Sequence, residues 1–503
     1  MDTDSADLAP DPRPVDAAAP GGEPHGGELR GGAIGLRAAL GVTVANMAPV
    51  NGVFLTAPAI VAAMGTRAPW AFLLVTVGLL AAAATVAEFA RRIVSPGSLV
   101  AYSYYAYRTV TPGLGTRVSA ALFYTMLLAG PLTLGAVSVF AGHWSATALG
   151  LAGDWWLVLS LAALVFAAAV VLRGIVASSR LAMALAAVQL AVLFAFAVLL
   201  LVRSGGDITV PLHSDGGEPG GLAGLSGLTF PLAVAGMVGW DNSAGMAAEL
   251  RRPRRVVPLT VISAVALVGL LYTLCTWAGL AGYAHWQGAA RGADRFGAPA
   301  NGAPFLELAQ HYLPVAHGVL AAVGAISSVA CLVGAMTAMS RITFTAARAG
   351  MLPRRLGYAS TRHGVPIGAV LLWFTLIALC TALPALTGAA PTTASSWEAG
   401  MGTVPLLLNL LVVLIGLPLY IRRTEPGSLR LVRHLLVPFT GLAVIGWGVY
   451  GNVRPDQPAP GNTFWICTAV IAVLAVTAAV RFARSPAPGL SALGVEPETP
   501  PAG

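Results

Sequence analysis

Lysine is missing from these 503 residues, so all 29 basic side chains are arginine. Any mechanism that needs a lysine amine, such as Schiff-base chemistry, is thereby removed. Charge of either sign is scarce, at 10% of the chain, where a soluble domain carries about 25%. A chain of this length cannot wet a globular exterior with so few charges. Cysteine is also rare. Cys275, Cys331, Cys380 and Cys467 all lie in apolar segments without CxxC spacing, which points to small packing residues rather than a disulfide framework or a metal site. No Walker A or HExxH motif occurs, and no Ser/His or paired-acid constellation lies within the apolar segments. Neither an ATP-driven pump nor an intramembrane enzyme is therefore indicated. An apolar leader is lacking as well. Residues 1–35 are rich in Asp, Pro, Ala and Gly and read as an unfolded cytoplasmic tail, as does the Pro-rich stretch 485–503.

What the chain has in abundance is apolar sequence, 56% of it. Runs long enough to cross a hydrocarbon layer of roughly 30 Å recur at 38–64, 69–90, 118–142, 155–172, 181–202, 226–249, 256–284, 314–346, 365–388, 399–421, 432–453 and 462–483. Continuous runs of this kind are not the short alternating segments of a β-barrel. The arginines test the count. With the N-terminus inside, only Arg67, Arg203, Arg291, Arg295 and Arg454 fall outside, and about 24 of the 29 fall inside. A wrong number of spans before any basic cluster would invert the pattern from that point on. The bias predicts twelve spans in the cytoplasmic membrane with both termini cytoplasmic. The net charge of +8 is thus a topology signal and implies no nucleic-acid partner. Two external loops, at 203–225 and 285–313, read as irregular backbone with room for short surface helices.

Two spans look broken. The first carries Asn46, Pro49, Asn51 and Gly52 within seven residues, and the sixth carries Gly236, Gly239, Asp241, Asn242 and Gly245. Proline removes a backbone donor and glycine loosens the helix. Unwound backbone at membrane depth is tolerated where it lines a cavity. Paired interruptions five spans apart are the pattern of a midplane site in an inverted-repeat transporter.

Three motifs carry a resemblance. Gly239-Trp240-Asp241, Glu249, Arg252-Pro253-Arg254-Arg255 and Pro258 resemble the sixth-helix signature of the amino acid–polyamine–organocation (APC) permeases. Ser340-Arg341, Gly350-Met351-Leu352-Pro353 and Val365-Pro366 are similar to that family's eighth-helix exit, and Glu88 to Arg92 with Ser95-Pro96-Gly97-Ser98 and Tyr102 to the segment after its second helix. The resemblance implies an all-α membrane protein of LeuT-type 5+5 inverted-repeat fold with two extra helices. The repeats would be 36–203 and 226–421, separated by an external loop at 204–225 and followed by two appended helices within 422–484. It implies a secondary transporter, not an enzyme, that moves amino acids by alternating access. The partners are then a small-molecule amino acid or amine and the lipid bilayer, with the chain acting as monomer or homodimer. No cofactor is implied beyond a coupling H+ or Na+. In the family, unwound helix 1 holds the substrate carboxylate and helix 6 the amino group. The corresponding residues here are Ala48, Pro49, Val50, Asn51 and Gly52, then Ala235, Gly236, Gly239, Trp240 and Asp241. The family's Gly-Ser-Gly stretch of helix 1 stands here as Val50-Asn51-Gly52, so only the last glycine is kept.

Single residues leave alternatives open. Asp241, an acid in mid-span, either binds an amine, carries a coupling proton or holds unwound backbone. Trp240 either closes over the solute or packs. A polyamine or other organic cation is favoured by these two residues, and a non-transporting sensor would keep the same site. Glu249 either pairs with Arg341 as a cytoplasmic latch or pairs with the adjacent arginine run. Ser327 and Ser328 either face a cation or bond back to their own helix. Proton-coupled relatives place a basic side chain from helix 5 near those serines, where this chain offers Arg180 with Gln189 deeper in. Tyr124 either lines the site or packs.

Overall fold

The structure is a computed structural model that describes residues 29–205, 209–212, 233–234, 236–298, 303–453 and 464–484. The expected tails at 1–28 and 485–503 and most of the loop at 203–225 lie outside the described residues, as does Ala235. The described residues are mostly helical, and one isolated bridge, Ile34 to Leu250, is the sole β-type pairing among them.

Helices α1 (Leu36–Asn46), α2 (Pro49–Met64) and α3 (Ala68–Arg92) form one apolar stretch. The short α4 (Ser98–Arg108) precedes α5 (Pro112–Leu149), α6 (Trp155–Leu172) and α7 (Ile175–Arg203). After a 3-10 segment, Trp240–Glu249, come α8 (Pro253–Gln287), the short α9 (Ala289–Gly297) and α10 (Pro304–Tyr312), then α11 (Val315–Arg348). The described chain closes with α12 (Ile367–Thr387), α13 (Pro391–Thr424), α14 (Val437–Val453) and α15 (Phe464–Arg484).

Among the described residues ten stretches are long and apolar enough to cross a membrane, the first of them 57 residues long. At 1.5 Å per residue that stretch would reach about 85 Å, nearly three bilayer cores, as a single straight helix. It is not straight. Breaks at Met47 and Ala48 and again over Gly65–Arg67 divide it. An order of elements also recurs along the chain. A broken segment, a long helix, a short helical connection and three further long helices run from α1 to α7. The same order runs from the 3-10 segment to α13.

Burial follows the logic of a lipid solvent. Large apolar side chains such as Phe166, Phe194, Leu270, Leu379 and Phe439 are exposed on the outside, while serines, threonines and acids are buried inside. Helices with little hydrophobic drive to associate in lipid depend on close packing of small residues. Gly402 of α13 lies on Ala129 and Thr133 of α5, and Gly269 of α8 lies on Thr76 of α3, with no room for a methyl group in either contact.

The described parts of the loop at 285–313 include the short helices α9 and α10. Phe305 of α10 stacks on Phe54 of α2 at 5.2 Å, Phe296 of α9 meets Phe305 edge-on at 5.4 Å, and Trp144 of α5 meets Phe54 at 5.6 Å. Glu307 ties the two short helices together, accepting from Tyr283 at 2.9 Å and from Arg295 at 3.1 Å. The connection is an aromatic cap over one end of α2.

Candidate solute-binding site

The two breaks meet. Ala48 holds φ +45°, a left-handed conformation rare for a residue with a side chain, and Gly239 holds φ +104°. Strain of the first kind costs on the order of 1–3 kcal/mol and is typical of functional positions. Pro49 then starts α2 where its missing N–H is harmless. Asn46, the last residue of α1, donates from Nδ2 to the Gly239 carbonyl at 2.8 Å, so the amide of one unwound segment satisfies the other. Tyr272 of α8 donates to the Gly236 carbonyl at 2.9 Å. Gly52 lies so close to the Tyr272 hydroxyl that a Cβ there would overlap it.

A cavity of about 520 Å³ opens at this junction and runs along α5 and α13. Of the residues expected to hold solute, Ala48, Asn51, Gly52, Gly236, Gly239, Trp240 and Asp241 line it. Pro49 and Val50 do not. Val50 instead donates its N–H to Ser327 Oγ at 3.3 Å. Among the described residues Asp241 is the only charged side chain in the lining, and no ion pair to it occurs. Elsewhere the wall is mostly apolar, with Leu79, Met126, Phe140, Met339, Ile342 and Leu407 among its members.

Sequence reasoning missed several contributors. Asn46, a helix breaker by sequence alone, lines the cavity and links the breaks. A polar residue on the first broken span was the available signal. Met126, Phe140 and the α13 wall gave none, because apolar residues in spans look alike wherever they point.

Ser327 and Ser328 do not face the cavity. Asn51 Nδ2 donates to Ser328 Oγ at 2.7 Å, and Ser327 Oγ donates to Gln189 Oε1 at 2.6 Å. The α7 residue beside these serines is thus the neutral amide of Gln189, while Arg180 is exposed near the start of that helix. Tyr124 is not in the lining either. Its hydroxyl donates to the Met351 carbonyl just beyond α11, at 2.8 Å.

Below the cavity, Glu249 and Arg341 pair. Arg341 Nε and Nη2 reach the two carboxylate oxygens at 2.6 and 3.4 Å, and both side chains are 0% exposed. The backbone before α1 pairs with the same segment. Ile34 N–H donates to the Glu249 carbonyl at 3.1 Å, and Arg251 N–H donates to the Ile34 carbonyl at 3.0 Å. Glu88 does not join this pair. It accepts from Arg91, Arg92 and Arg433 at the ends of α3 and the segment before α14.

Fold and site together define a polytopic helical membrane protein with a solute cavity at paired helix breaks. Comparison with known sequences agrees. Residues 34–477 match the amino acid permease family model AA_permease_2, and the chain belongs to that family. Its membrane architecture is accordingly of the LeuT type. The chain is also 25% identical over 212 residues to the branched-chain amino acid permease BcaP of Lactococcus lactis subsp. cremoris (strain MG1363). That match covers 41% of this chain and 43% of the relative, less than half of either.

Proposed function

We propose that this permease is a secondary transporter that carries amino acids with apolar side chains across the cytoplasmic membrane by alternating access. The observation that carries the reading is the cavity itself, apolar over most of its wall and bearing a single charge, Asp241, at the paired breaks. One acid suits one ammonium group. Asn51 and Gly52, the cavity-lining residues near the positive end of the α2 dipole, suit a carboxylate. An apolar wall rewards a branched or aromatic side chain by about 25 cal/mol per Å² removed from water. A polyamine would bring two or more cations to a cavity whose lining offers one counter-charge, so the organic-cation alternative is the weaker reading. The similarity to a branched-chain amino acid permease favours the same class.

In this reading twelve spans form two inverted five-helix repeats, at 36–203 and 226–421, with both termini cytoplasmic. The Glu249–Arg341 pair and the strand-like Ile34 contact then close the cytoplasmic side. The aromatic cap of α9 and α10 covers the external end of α2. Alternating access opens one closure at a time.

Uptake of labelled leucine, phenylalanine, arginine and putrescine into proteoliposomes, under imposed proton or sodium gradients, tests this directly. Leucine and phenylalanine should enter and compete with each other, and Asp241→Asn should abolish uptake or uncouple it from the gradient. Uptake of putrescine but not leucine would replace the proposal with the amine reading. Absence of transport or exchange for every solute would favour a sensor.

A further inference from the structure

Four glutamates are buried among the described residues, and three of them face arginine: Glu88 (Arg91, Arg92 and Arg433), Glu249 (Arg341) and Glu307 (Arg295). Glu398 of α13 is the exception. It is 4% exposed, yet neither Oε1 nor Oε2 has a hydrogen-bond partner. An ionised carboxylate so placed would be stripped of water with no charge or donor to offset the loss. The packing suits the neutral acid.

Its surroundings support that assignment. A methyl group built on Gly135 of α5 would lie 3.1 Å from Glu398 Oε2 and 2.6 Å from Cys380 Cβ, so the carboxyl sits where α5, α12 and α13 converge. Cys380 is the titratable group of α12, and it is a free thiol. On α5 the titratable residues are Arg117, Tyr124 and His143, each two turns or more along the helix from Gly135. Helix α15, which also packs on α5 and α13, carries Cys467 near its start and Arg481 and Arg484 at its far end. The other titratable residues of α13 are Tyr420, Arg422 and Arg423, six turns away.

Two cavities lie close to Glu398. Trp397 and Ala399, flanking Glu398, line the solute cavity, as does Thr133, whose buried hydroxyl has no partner either. At the α12–α13 turn a second depression of about 380 Å³ is lined by His143, Asp154, Pro384 and Pro391, with Pro384 one helical turn from Cys380. The arginine distribution assigns that end of the molecule to the outside.

We propose that Glu398 is a proton-binding site of the transport cycle, where its carboxylate takes a proton from external water, packs as the neutral acid between α5, α12 and α13, and releases it when those helices part. One proton adds to and leaves one carboxylate oxygen, and no other bond changes. The proposal rests on the transporter reading and names its driving ion as H+.

Proteoliposomes separate the two. Counterflow of labelled leucine at equal pH reports solute translocation alone, while accumulation under an acid-outside gradient reports coupling. Glu398→Gln should keep counterflow and lose concentrative uptake, with its rate no longer dependent on pH, and Glu398→Asp should keep both. Gradient-driven accumulation by Glu398→Gln equal to wild type would overturn the proton site and leave the permease reading intact. Wild-type protein that shows neither activity with any amino acid would remove both. If Glu398→Gln does not fold, the wild type still decides. A hydrophobic carbodiimide, which reacts with protonated carboxyls in apolar surroundings, should modify Glu398 in a manner that fades as pH rises. A Glu398 peptide left unmodified at acid pH would overturn the proposal.

Discussion

Replacing Glu249 by alanine strips Arg341 of both its carboxylate contacts while leaving the guanidinium where no water reaches it. Two acceptors remain, the Thr337 carbonyl at 2.8 Å and Ser340 Oγ at 3.2 Å, and neither carries charge. Breaking a buried pair by removing one partner costs about 3–5 kcal/mol, a large share of the 5–15 kcal/mol typical of folded proteins. Thermal unfolding of the purified protein in detergent, followed by tryptophan fluorescence, reads this as a marked fall in Tm. The double variant Glu249→Met, Arg341→Met buries no charge and should recover most of the loss, as isosteric apolar replacements of buried pairs do. It should also lack the contact that shuts the cytoplasmic side. Cys331, which lines the cavity and contacts the Asn46 carbonyl at 3.1 Å, should then react faster with a maleimide added from that side. A single-variant loss under about 1 kcal/mol, the value for an exposed pair, would refute the argument from burial. Unchanged Cys331 reactivity in a stable double variant would refute the latch.

Three further outcomes are expected. Gly52→Ala drives a methyl group into the Tyr272 hydroxyl and ring, so leucine uptake should fall severely even where the protein still reaches the membrane, as measured by surface expression alongside transport. Asn46→Leu leaves the Gly239 carbonyl with only the long contact from the Asn242 N–H at 3.5 Å, and the loss of the short bond at a buried acceptor should cost about 1–3 kcal/mol in thermal unfolding. Glu425, just beyond the end of α13, hydrogen-bonds Arg92 at 2.7 Å, which holds its carboxyl below the usual range. A depressed acid contributes stability above its unfolded pKa and loses it as pH falls through the folded one. The pair is partly exposed, so Glu425→Gln should change Tm only slightly near neutral pH and not at all once acid protonates the wild-type carboxyl.

The helical membrane class and the two broken segments were legible in the sequence because both rest on local properties. Eighteen apolar residues in a row have few destinations. Asparagine, proline and glycine in mid-span announce a break whatever surrounds them. The pairing of Glu249 with Arg341 was readable as one of two options, and burial chose between them. Tyr124 and Arg180 illustrate the limit. Residue type allowed each a role at the site, but the direction of a side chain depends on helix rotation, which spans of nearly uniform apolarity do not encode. Tyr124 turns to Met351, and Gln189 rather than Arg180 reaches the serines.

Glu398 shows the same division from the other side. As one acid in an apolar run it carries no more information than Glu88 or Glu307. Only packing reveals that Glu88 adds the remote Arg433 to its helix neighbours Arg91 and Arg92 and that Glu307 meets Arg295, while Glu398 faces Gly135 and Cys380. Composition and periodicity alone determined a helical membrane protein with two broken spans, since bilayer thickness and backbone satisfaction admit little else. Which side chains share the cavity, which charges are matched and which acid is left alone were decided by tertiary structure. Those facts depend on contacts between residues up to hundreds of positions apart, and no local pattern records them.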